Sequence, residues 1–181
     1  MKHHTLPVEI PEIVLRLEHY NDIFSDFDIR PYSKRALSID FLDEIKRATS
    51  DKENGAVELI FHVPEKDRDE GMETTIRGRL VEHFKRHHHL LAEEKKRITK
   101  LGIWMVAMGV VCMVAATFVV FEDPSRNLLL SFLVVFLEPA AWFLLWEGMD
   151  QIIFNSKSLD AELNFYRRMS SPHGNIHFKS Y

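Results

Sequence analysis

The chain has 181 residues, a formal net charge of −4 and one cysteine, Cys112. That length suits one modest domain plus a small membrane segment. The lone cysteine excludes an intrachain disulfide and a thiolate-rich metal site, and the acidic balance argues against a nucleic-acid partner.

Positions 12–19 (EIVLRLEH) alternate apolar residues at Ile13, Leu15 and Leu17 after Pro11, which predicts a strand. A polar and aromatic loop follows over 20–33. Ser38 is placed to cap a helix through Ala48, with Asp40 in its first turn and Lys46 and Arg47 in its last, matching the helix dipole. Phe41, Leu42 and Ile45 give that helix an apolar face. Residues 51–55 read as a turn, and 57–63 (VELIFHV), closed by Pro64, as a second strand. From about Asp67, Met72, Ile76, Leu80 and Phe84 recur at every fourth position, a core-facing helical stripe that Gly71 and Gly78 weaken only modestly. No proline intervenes before Leu101, so this helix is expected to continue into the apolar run 101–121. Continuous from 68 to 121 it would be roughly 80 Å long; the alternative is a break at 87–89.

A mean hydropathy of −0.15 averages two chemistries. Residues 101–121 and 127–146 carry almost no charge, and each run reaches the roughly 20 residues that a spanning helix needs. Lys85, Arg86, Lys95, Lys96, Arg97 and Lys100 precede the first run, and Lys157, Arg167 and Arg168 follow the second. The connection offers only Arg126 beside Glu122 and Asp123. This bias places both termini in the cytoplasm, with the hairpin in the plasma membrane. The first residues hold no apolar h-region, so no cleaved signal peptide is expected. Lys95, Lys96, Arg97 and Lys100 suit contact with anionic lipid headgroups, and Trp104, Trp142 and Trp146 are placed as interfacial aromatics.

Beyond the second run, 151–154 prolongs the helix, 159–169 forms a short amphipathic one and 172–174 is a turn. Residues 175–181 alternate Ile176 and Phe178 with His177 and Lys179, a strand expected to return to the sheet. The fold class is therefore an α+β membrane protein. A two-helix transmembrane hairpin (99–149) is inserted in a small cytoplasmic α/β domain with a roughly three-stranded sheet, built from 1–98 and 150–181. So small a core would gain from homo-oligomerisation.

One carboxylate, Glu138, interrupts the second apolar run, followed by Pro139. An ionisable group there is costly and marks a functional candidate. Read as heptads, Gly102, Gly109 and Ala116 alternate with Met105, Cys112 and Val119, and Ser131, Glu138 and Leu145 with Val134, Ala141 and Gly148. Small residues on such a stripe let helices approach closely. Glu138 is expected at the depth of Gly109 and Cys112 and facing them, with Ser131 on its own stripe. Three roles compete: a protonated carboxyl bonding across a helix interface, within the hairpin or between subunits; a ring of Glu138 lining an ion or proton path; and a lipid or hydrophobic-ligand contact. Pro139 cannot bond the Val135 carbonyl one turn earlier, which favours a kink. The hexapeptide Glu138-Pro139-Ala140-Ala141-Trp142-Phe143 is similar to the pore signature of the mitochondrial calcium uniporter family, with Val135 where that family has a preceding aspartate. This resemblance implies an oligomeric cation channel.

In the cytoplasmic part, Asp22, Asp26 and Asp28 are candidate oxygen ligands for a divalent cation, or else pair with Arg30, Lys34 and Arg35 in a loop ordered by buried Phe24, Phe27 and Tyr32. His83 and His87, four apart on one helix face, have zinc-ligand spacing, but HEXXH order is absent. His62 and His177 read as sheet residues. No phosphate loop, nucleophile elbow or Ser/His/Asp order appears, so no enzyme activity and no cofactor are expected. The function expected is interaction or scaffolding by a lipid-embedded homo-oligomer. A channel through Glu138 is the alternative and a metal-dependent enzyme the third reading.

Overall fold

The computed structural model describes residues 11–52, 55–122, 127–171 and 176–181. The expected turns at 51–55 and 172–174, the connection 122–126 and the first ten residues fall wholly or partly outside them. The chain is mostly helical and forms two compact units, Met1–His89 with Glu162–Tyr181, and Leu90–Ala161.

The first unit is built on three strands, β1 (Glu12–Arg16), β2 (Glu58–Val63) and β3 (Ile176–Ser180), in the order β1-β2-β3 with both pairs parallel. Ile13, Leu59 and Ile176 lie in register, as do Leu15, Phe61 and Phe178. Because side chains alternate across a strand, these rows share one face, and helix α1 (Ile39–Ser50) contributes Phe41 and Ile45 to the core. The Phe61 ring lies 5.8 Å from that of Phe41 and 5.3 Å from that of Phe178. Ser38 stands at the start of α1 as expected, but its hydroxyl makes no capping bond.

Helix α2 (Glu70–Glu122) is continuous for 53 residues, with no break at 87–89. Asp69 caps it, its Oδ1 accepting from the N–H groups of Gly71 and Met72. Ile76, Leu80 and Phe84 are fully buried, but Met72 is exposed. Glu73 takes the buried position instead, and the stripe runs 73, 76, 80, 84, the true period of a helix. Its carboxylate is held by Arg68 at 2.9 and 3.0 Å and by the Tyr20 hydroxyl at 3.0 Å. The Arg68 bond, with that of Tyr20, outweighs burial and keeps the Glu73 carboxyl below its ordinary pKa.

Phe27 is fully exposed and does not order the loop before α1. Asp28 turns inward, accepting from the Ala36 N–H at 2.7 Å and pairing with Arg30 at 2.8 Å. Phe27 lies in a turn closed by the Asp28 N–H bond to the Ser25 carbonyl at 3.3 Å, and Phe27 and Ile29 on either side of Asp28 are left exposed. Phe24 is buried beneath Tyr32, their rings stacked at 5.0 Å.

In the second unit, the last part of α2 packs antiparallel against α3 (Leu128–Asp150), which continues through Pro139. A π-helical turn (Gln151–Asn155) and the short α4 (Ser156–Ser158) follow, and α5 (Asp160–Met169) returns to the first unit's core through Phe165, Tyr166 and Met169. The α2–α3 seam is made of backbone. A Cβ at Gly102 would lie 2.7 Å from the Gly148 carbonyl oxygen, and one at Gly148 the same distance from that of Gly102. We therefore expect Gly148→Ala to destabilise the pair by about 1–3 kcal/mol through overpacking. Gly78→Ala, with open space around it, should stabilise α2 by up to about 1 kcal/mol. Thermal melts of the two variants in one detergent would move in opposite directions.

Candidate functional site

The seam fixes which way α3 faces. Gly102, Gly109 and Ala116 of α2 are buried, opposite Ala141 and Gly148 of α3. A Cβ on Gly109 would stand 3.0 Å from the Ala141 carbonyl oxygen and 2.9 Å from Leu145 Cγ. Ala141 and Leu145, not Glu138, therefore face Gly109 within the hairpin. Glu138 is exposed, as are Pro139 and Ser131, while Cys112 is partly buried. The heptad reading located the stripe but put Ser131 and Glu138 on its inner side, whereas they lie around the helix from it. Among the described residues, no hydrogen bond or ion pair reaches the Glu138 carboxylate.

Apolar residues surround Glu138 on the outer surface of the hairpin, including Val135, Phe136 and Trp142. Only 11% and 6% of the most apolar windows of the two helices are buried. Both helices are long and apolar enough to cross a membrane. Trp104 and Trp146, 63% and 71% exposed, each stand two residues from the Gly102–Gly148 contact and so at one level. From there Glu138 lies about 12 Å along α3, and about 16 Å from Asn127, at 1.5 Å per residue. Charge returns beyond the tryptophans. Lys95 pairs with Asp160, while Lys96, Arg97 and Lys100 are exposed, and the described residues hold no salt-bridge partner for them. Asp160 was not legible as that partner, because α3 and the turn after it intervene in sequence.

In the first unit the three aspartates do not converge. Asp22 accepts from the N–H groups of Glu18 and His19 at 2.8 and 3.0 Å, Asp28 is engaged by Arg30 and Ala36, and Asp26 is exposed. Arg35 binds Asn21 and the Ser25 carbonyl, completing an ordered loop. Among the described residues no three His, Cys, Asp or Glu side chains gather as a metal site would require. His177 bonds Glu58 across the strands at 2.9 Å, and His62 is in β2 as read.

His83 and His87 do come together, their rings 4.2 Å apart, but α5 covers them with an aromatic ring rather than a ligand. Tyr166 stacks on His87 at 5.2 Å, and Lys46 of α1 bonds Glu162 beside it at 3.0 Å. His83 Nε2 is buried with no hydrogen-bond partner among the described residues. Burial, reinforced by His87 and Arg79, pushes its pKa down to about 4, and burial also lowers that of His87. Tyr166 was missed from sequence, though the apolar period of 159–169 marks it as inward-facing.

The chain matches no family model, no curated protein and no solved structure. The uniporter resemblance thus rests on its six residues alone.

The His83 environment has a pH consequence. The unfolded chain takes up a proton below about pH 6.5, whereas folded His83 stays neutral down to about 4. Stability therefore falls as pH drops through that window. His83→Phe, which keeps a ring and removes the unpartnered nitrogen, should flatten the fall in melting temperature between pH 7 and 5. Equal falls in both proteins would contradict this assignment.

Proposed function

We propose that the chain is a two-pass plasma-membrane protein with both termini in the cytoplasm, whose α/β unit acts by interaction or scaffolding within a homo-oligomer. Two outward apolar helices support insertion, since so large an apolar surface is untenable in water. The surplus of Lys and Arg before α2's apolar part, against the single Arg126 of the connection, supports the orientation.

The observation that carries the oligomer is Glu138, exposed and unpartnered among the described residues, about midway through a hydrocarbon layer roughly 30 Å thick. Intramembrane ionisable groups almost always face a bundle interior or water, so a second copy covering this face of α3 removes the cost. Such a bond contributes about 1 kcal/mol, or roughly fivefold in association. Glu138→Ala should weaken self-association about fivefold in bilayers, read by single-molecule photobleaching, while Glu138→Gln should largely retain it. Wild-type association of the alanine variant would refute this interface.

The same outward position favours a second reading, in which Glu138 side chains ring an axis and conduct cations or protons. Cation-loaded liposomes distinguish the two. Conduction predicts a flux that Glu138→Gln suppresses, and background flux in both proteins would remove it.

A further inference from the structure

At the level where charge gives way to apolar surface, α2 carries a groove of about 460 Å³ whose walls include Lys95, Lys96, Thr99, Lys100, Ile103 and Trp104. The spacings 96–100, 99–103 and 100–104 put these residues along one face of a single helix. Its two ends differ in chemistry. Lys95 is neutralised by Asp160, and the Thr99 hydroxyl donates to the Lys95 carbonyl at 2.9 Å beside Ser156, so both are walls rather than free ligands. Lys96 and Lys100 are exposed, with no carboxylate partner among the described residues. Ile103 and Trp104 are 57% and 63% exposed. From Lys96 to Trp104 the face rises about 12 Å, while the polar layer on each side of a bilayer is roughly 5–8 Å thick. One groove thus reaches from the phosphate plane into the first part of the hydrocarbon.

We propose that this groove binds one anionic phospholipid, the inference resting on the membrane reading above. The phosphodiester oxygens bridge the Lys96 and Lys100 ammonium groups, and the start of one acyl chain lies along Ile103 and the Trp104 indole. Lys96 and Lys100, with Arg97 adjacent, repel the ammonium of a choline or ethanolamine headgroup. The site therefore selects a lipid with net negative charge, such as a phosphatidylglycerol.

Trp104 reports on the groove in the full-length protein once Trp142→Phe and Trp146→Phe remove the other two tryptophans. That protein is reconstituted in phosphatidylcholine vesicles containing a minor fraction of lipid brominated near the headgroup end of its chains. Brominated phosphatidylglycerol should quench Trp104 well above brominated phosphatidylcholine at the same fraction. Lys96→Ala and Lys100→Ala should each reduce that preference, by up to about fivefold per lysine. Lys85→Ala with Arg86→Ala, a larger loss of charge than either single variant, should leave it intact. Equal quenching by both lipids overturns the site while leaving insertion standing, and quenching by neither overturns insertion as well. Equal loss of preference in the Lys85/Arg86 control would reduce the effect to general attraction and overturn the site. Its abolition by inorganic phosphate at constant ionic strength would assign the lysines to a free anion and also overturn it.

Discussion

The close approach of Gly102 and Gly148 sets the geometry of the whole apolar unit. At that point each backbone occupies the space where the other would carry a side chain. Once the two glycines are in register, the rotation of both helices is settled, because neither can turn without driving a Cβ into a carbonyl. Ala141 and Leu145 are thereby committed inward against Gly109, and Glu138 outward. The exposed carboxylate is thus a by-product of a seam built from the smallest residues. Without an apolar driving force between helices in lipid, such close van der Waals contact is what holds a hairpin together.

The α/β unit uses the opposite strategy. Its core depends on large rings, with Phe61 at the centre of the middle strand between Phe41 and Phe178. Glu73, the one buried charge among the described residues, is tolerated because Arg68 and Tyr20 bond its carboxylate. His83 is less completely served. Its ring is packed and its Nε2 has no partner among the described residues, so protonating it as pH falls opposes the fold.

Much of this was legible because period and sign of charge are local properties. Three strands, the α1 boundary and the two long apolar helices follow from alternation, capping residues and run length. What failed were questions of rotation and long-range pairing. A strict four-residue repeat admitted Met72 where a 3.6-residue helix buries Glu73. A heptad frame put Glu138 on the inner stripe, although only the glycine contacts decide which of two adjacent stripes faces the partner. Phe27 looked like a core residue by type, yet it falls in the turn that Ser25 and Asp28 close and is left exposed. The Lys95–Asp160 pair and the Tyr166 cover over His87 join segments far apart in sequence, and no local pattern announces such contacts.

The parallel pairing of β3 with β2 has a kinetic side. The whole of α2 and of α3 must be synthesised between these two strands, so the central strand waits with one edge open. At 5–20 residues per second that wait is on the order of ten seconds. An unpaired edge is a template for adventitious strand pairing. Early burial of the apolar hairpin would localise the nascent chain and shorten the search by which its last strand closes the sheet.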